Sequence, residues 1–111
     1  MTVTLIQGDD LYSIDNHIKS VFDSARSQGI EISDLTNEKN PIDALSTQSL
    51  FAIKRIFIHQ AFTEIKAKDL KSIISRLSNS QDELILVKSA PFTASQVKLF
   101  PKDTRVLKFQ I

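Results

Sequence analysis

The sequence predicts an α/β domain, a three-layer arrangement of a mostly parallel five-stranded sheet with helices on both faces. Two observations predict it. Strand-like and helix-like stretches alternate along the whole chain, and such alternation implies parallel neighbours, because these need crossover connections. The 111 residues, 41% of them hydrophobic and 24% charged, suit one domain with a single buried interior and an ordinary polar surface.

Thr2 to Gln7 is short, β-branched and ended by Gly8, and reads as the first strand. Asp9 or Asp10 can cap the helix that follows by accepting hydrogen bonds from its free N-terminal amides. Leu11, Ile14, Ile18, Val21, Phe22 and Ala25 recur at spacings of three and four, an apolar stripe of helical period. Gly29 can take the left-handed conformation with which such a helix often ends. Ile30 to Leu35 alternates Ile30 and Ile32 with Glu31 and Ser33, as a half-exposed strand near a sheet edge would. Asn40-Pro41 has the form of an N-cap followed by proline at the first helical position, with Ile42 and Leu45 on the buried side of a short helix.

Ile53 to His59 contains Ile56-Phe57-Ile58, consistent with a strand covered on both faces. Ala67 to Leu77 places Leu70, Ile73, Ile74 and Leu77 on one side of a helix. Leu84 to Val87 is the most continuous apolar run and predicts a central strand. Thr93 can cap a brief helix through Leu99, stopped by Pro101, and Arg105 to Ile111 alternates again as the last strand. Periodicity does not supply the strand order.

Composition excludes several classes of function. Fourteen Lys and Arg stand against thirteen Asp and Glu, which argues against a strong standing field for nucleic acid and leaves only a local basic patch open. With no cysteine, a disulfide framework, a thiolate metal site and a cysteine nucleophile are all ruled out. No apolar run approaches the ~18 residues of a membrane span. Asp9 and Asp10 arrive too early for a secretory signal, which makes the cytoplasm the expected compartment.

In folds of this class ligands sit beyond the carboxyl ends of the strands, so the loop after the first strand is the place to look for chemistry. A phosphate-binding loop needs Gly, four residues, then Gly-Lys-Ser/Thr. Started at Gly8, that frame puts Ser13 at the second glycine, Ile14 at the lysine and Asp15 at the metal-binding hydroxyl. Asp9 and Asp10 would repel a triphosphate, and their plainer role is to cap the helix. An acidic pair here also occurs in phosphoacceptor receiver domains, where it holds Mg²⁺. Those need an acceptor aspartate at the end of the third strand, where this chain has Ile58-His59-Gln60-Ala61. No cofactor or metal site is expected. His17 and His59, the only histidines, lack a ligand-spaced partner. Lys66, Lys68, Lys71 and Arg76, interleaved with Glu64 and Asp69 and without aromatic platforms, read as a solvated helix face.

One local feature stands out. Ser46-Thr47-Gln48-Ser49-Leu50-Phe51 follows the short helix, and Leu50 and Phe51 sit at a helix-to-strand junction where a loop would ordinarily be polar. The pair can either seal the interior beneath the junction or plug a hydrophobic pocket on a partner.

Taken together, Ile6-Gln7-Gly8-Asp9-Asp10-Leu11-Tyr12, Ser49-Leu50-Phe51 with Ala52-Ile53-Lys54-Arg55, and the apolar strand Glu83 to Val87 resemble the N-terminal domain of the delta subunit of the bacterial DNA polymerase III clamp loader. The resemblance spans all 111 residues in order and spacing; each motif is short, and their co-occurrence gives it weight. It implies a P-loop NTPase-like fold of AAA+ type with a degenerate phosphate loop and no bound nucleotide. It implies a non-enzymatic accessory role: binding the ring-shaped beta sliding clamp and helping to open it for loading on primed DNA. The implied contact is Leu50 and Phe51 in a pocket of the clamp, with Ser49 flanking. Many clamp-binding peptides carry a glutamine five residues before the Phe; Ser46 stands there, with Gln48 nearer. The lid and C-terminal oligomerisation domains that usually follow are not within these residues, so assembly with gamma/tau and delta-prime subunits is expected only of a longer chain, and DNA contact is expected to be indirect or weak.

Overall fold

A computed structural model describes residues 1–37 and 54–111. The elements run β1 (Thr2–Gln7), α1 (Leu11–Ser27), β2 (Glu31–Asp34), β3 (Arg55–His59), a 3₁₀ turn (Phe62–Glu64), α2 (Ala67–Leu77), β4 (Glu83–Lys88), α3 (Ala94–Val97) and β5 (Arg105–Lys108). The expected short helix at Pro41 to Leu45, and Ser49, Leu50 and Phe51, lie outside the described residues.

All five strands are parallel, in the order β2-β3-β4-β1-β5. The burial of each strand explains its place. β1, β3 and β4 bury nearly every residue and occupy the middle, while β2 and β5 are half-buried and form the edges. Side chains alternate across the pleat, so each central strand feeds two interiors. Ile6, Ile56, Ile58, Ile85 and Val87 meet α1 through Ile14, Ile18 and Ala25. Val3, Leu5, Phe57, Leu84 and Leu86 meet α2 through Leu70, Ile73 and Leu77, with Phe100 from the segment after α3. Helices thus cover both faces, as expected.

Several element ends differ from the sequence expectation, each for a local reason. β2 begins at Glu31 rather than Ile30. The Ile30 N–H is held by the Ala25 carbonyl (2.9 Å) and the Gly29 N–H by Arg26 (3.1 Å), the paired bonds that close α1 around a left-handed Gly29 at φ 73°. β5 stops at Lys108 rather than Ile111. Beyond it the Phe109 N–H bonds to the Gln7 carbonyl (2.8 Å) and the Phe109 carbonyl accepts from Asp10 N–H (3.1 Å), so the chain leaves the ladder to clasp the β1–α1 loop. α3 ends at Val97, short of Leu99, after a start fixed by a reciprocal cap. Thr93 accepts from Gln96 N–H (3.2 Å) while Gln96 Oε1 accepts from Thr93 N–H (2.9 Å). Leu11, counted in the apolar stripe of α1, is 66% exposed because it stands at the rim of the sheet, not over it.

At the amino edge one carboxylate gathers three strands. Asp82 Oδ1 accepts from the Arg55 N–H (2.9 Å), Oδ2 faces the Arg55 guanidinium (3.5 Å), and its carbonyl accepts from Thr2 N–H (3.1 Å). Among the described residues no helix is long and apolar enough to cross a membrane.

Candidate site at the carboxyl edge of the sheet

The carboxyl ends of β1, β4 and β3 bring three buried polar side chains to one rim: Gln7 (4% exposed), Lys88 (8%) and His59 (4%). The strand register aligns them, with Gln7 opposite Lys88 and His59 opposite Leu86. Each fixes a connection that leaves this rim. Gln7 Oε1 accepts from the Phe92 N–H at 2.8 Å. Lys88 donates from Nζ to Gln96 Oε1 at 2.7 Å and lies over the rings of Phe92 (4.7 Å) and Phe62 (5.6 Å). His59 Nδ1 accepts from the Ala61 N–H at 3.1 Å. Phe62 and Phe92 pack edge to face at 4.9 Å, joining the two connections. No carboxylate pairs with Lys88 among the described residues; the quadrupoles of two rings and an amide oxygen hold its charge instead.

The loop after β1 is engaged by groups of its own chain. Asp10 caps α1, its Oδ1 accepting from Ser13 N–H (3.2 Å) and its Oδ2 from the Ser13 hydroxyl (2.6 Å). A helix N-terminus that would hold an anion thus already holds one from its own chain. The Ser13 hydroxyl, then the Ser13 amide, draw the Asp10 carboxyl below its ordinary range. Asp9 Oδ1 accepts from Ile111 N–H at 3.1 Å. Gly8, at φ 139°, passes so close to the Phe109 carbonyl that a Cβ there would collide with it. Gly8→Ala is therefore expected to destabilise the fold by about 3 kcal/mol, through strained backbone plus displacement of the Phe109 clasp. Chemical denaturation reads this out, and a loss below ~1 kcal/mol would show that the clasp yields freely.

Beneath this loop lies a cavity of about 270 Å³ whose walls include Gly8, Leu11, Ile14, Phe62, Val87 and Ser89. Its lining is mainly apolar, and Leu11, 66% exposed, is part of that lining. Among the described residues no group of three or more His, Asp or Glu could hold a metal ion.

Of the residues singled out from the sequence, Asp10 takes the capping role, and Asp9 holds the chain end. His17 is half-buried at the edge of α1 against Phe109 (ring centroids 5.5 Å apart). Lys66, Lys68, Lys71 and Arg76 are exposed, as a solvated helix face requires. Ser49, Leu50 and Phe51 are outside the described residues. Sequence reasoning passed over Gln7 and Lys88, although each is a polar residue directly ending an apolar strand, the position from which a side chain reaches the rim. No known protein family, curated protein or solved structure matches the chain.

Proposed function

We propose that the chain is a clamp-binding module of the bacterial replication machinery, of the kind found at the N-terminus of the clamp-loader delta subunit. In this reading it grips the beta sliding clamp through Leu50 and Phe51, with Ser49 flanking, and helps open the ring, while other subunits bind ATP. It has no catalytic activity of its own, and it works in the cytoplasm beside gamma/tau and delta-prime subunits when further domains follow.

The observation that carries this reading is the combination of an ATPase-like sheet with a phosphate loop closed by its own residues. Counted from the other edge the order is β5-β1-β4-β3-β2, with β4 between β1 and β3, and this arrangement supports the AAA+-type reading. In the same molecule Asp10 fills the helix N-terminus and Phe109 the space beside Gly8. The receiver alternative fits less well, since receiver domains have the order 2-1-3-4-5, with β1 beside β3. Here β4 separates them, and the third strand ends in His59 where the acceptor aspartate would be.

Two measurements test the proposal. Surface-plasmon titration over an immobilised bacterial beta clamp is expected to show saturable binding of the purified chain; no binding up to ~100 μM, weaker than about 5 kcal/mol, would remove the proposal. Thermal unfolding in ~1 mM ATP with Mg²⁺ is expected to leave the midpoint unchanged, whereas a ligand-induced rise would favour a degenerate nucleotide-binding enzyme.

A further inference from the structure

The connection from β3 to α2 is held at its start by two side-chain acceptors. Thr36 Oγ1 accepts from the Gln60 N–H at 3.0 Å, and His59 Nδ1 accepts from the Ala61 N–H at 3.1 Å. The next bonds, Glu64 N–H to the Ala61 carbonyl (2.8 Å) and Ile65 N–H to Phe62 (3.0 Å), form the 3₁₀ turn. That turn sets Phe62 into the interior and supplies Gln60, Ala61, Phe62 and Thr63 to the cavity wall. An acceptor that fixes a wall in this way is unusual in one respect: an imidazole nitrogen accepts only while it is unprotonated.

We propose that His59 is a pH-sensitive latch on the 60–64 turn, closed while its Nδ1 accepts the Ala61 amide and opened when that nitrogen takes a proton. Protonation sets Nδ1–H against Ala61 N–H, two donors face to face, in a site where His59 is 4% exposed. The balance of nearby charge is mixed. Burial disfavours the imidazolium and holds the His59 pKa below its ordinary value, while Glu64 in the turn and then Asp34 at the end of β2 oppose that shift. Lys88, on the neighbouring strand and the same face, is engaged by Gln96 and the two phenyl rings. Opening the latch returns the imidazole to water, where it protonates near its ordinary value, so acid favours the open turn. The sign is that of a depressed histidine: the closed turn is fully stable above pH ~6.5 and is lost as pH falls through the lower folded value. The consequence is local. The side of the cavity made by residues 60–63 loosens in acid, while β1 and β4 keep their ladder.

Amide hydrogen exchange followed by NMR tests this, with rates corrected for intrinsic pH dependence. Between pH ~7 and ~5 the Ala61 amide is expected to lose protection fivefold or more, with a ceiling of about 25-fold set by full release of an ordinary histidine. The Leu5 and Ile6 amides of β1 are expected to stay constant. His59→Asn keeps an acceptor oxygen near the Nδ1 position but does not titrate, so its Ala61 amide is expected to stay protected at both pH values. The latch is overturned by constant Ala61 protection in the parent chain, by an equal loss at Ala61 and in β1, or by a loss that persists in His59→Asn.

Discussion

Replacing Leu50 and Phe51 together by alanine is expected to weaken binding to the beta clamp about a thousandfold. The estimate takes each side chain as an anchor worth on the order of 2 kcal/mol, and ~4 kcal/mol in all corresponds to about three decades in affinity. Anchors of this kind act by leaving water for a pocket on the partner, so the loss should fall in the dissociation rate, with association slowed little. Leu50→Ala and Phe51→Ala alone are expected to cost about 2 kcal/mol each, whereas Ser49→Ala, which removes only a flanking hydroxyl, is expected to cost under ~1 kcal/mol. Circular dichroism and the thermal midpoint of the double variant separate the two roles the sequence leaves open for this pair. Unchanged stability with lost binding marks an interface. A drop in stability of ~4 kcal/mol or more, the usual cost of emptying apolar core positions, marks a seal on the interior. Unchanged affinity in a folded double variant would sink the proposed contact.

Asp82→Ala is expected to lower unfolding stability by about 3 kcal/mol. The carboxylate is buried and accepts from the Arg55 backbone while facing the Arg55 guanidinium, whose side chain is 17% exposed. Removing one partner of a largely buried pair takes from the other a contact for which it was desolvated, and that cost exceeds the net worth of the pair. Partial exposure of Arg55 sets the figure at the low end of the range for fully buried pairs. Asp82→Asn is the informative companion. It keeps an oxygen for the Arg55 N–H and loses only charge, so ~1 kcal/mol is expected. Urea unfolding of the two variants checks the ordering. Equal losses would mean that the ion pair rather than the side-chain bond to the Arg55 N–H ties β3 to the start of β4 at this edge.

Much of the fold was legible in the chain because strand position leaves a mark on composition. Ile56-Phe57-Ile58 and Leu84 to Val87 are continuous apolar runs in strands buried on both faces; Ile30 to Leu35 alternates, and its strand Glu31–Asp34 is an edge. Helix ends were legible where a single residue dictates backbone geometry, as at Asp10, Gly29 and Thr93. Of the ends that were misplaced, that of β5 is settled by a distant partner. Ile111 looks like strand by its alternation, yet its amide belongs to Asp9, 102 residues away. The candidate site divides in the same way. Asp10 announces a helix cap by residue type, and the residues after Gly8 visibly lack the phosphate-loop pattern, whereas nothing about Gln7 or Lys88 as residues says that they pin Phe92 and Gln96.

The sequence by itself determined the class of fold, the central place of the Leu84 to Val87 strand, the edge place of the Ile30 to Leu35 strand, and the lack of a phosphate-loop pattern after β1. Each of these follows from local chemistry: burial period, backbone freedom, charge. Only the tertiary structure decided the order of the three central strands and the setting of β4 between β1 and β3. β1, β3 and β4 are all buried on both faces, and composition offers no preference among their arrangements. The choice rests on crossover connections and on contacts such as Thr2 to Asp82 that join residues far apart in the chain.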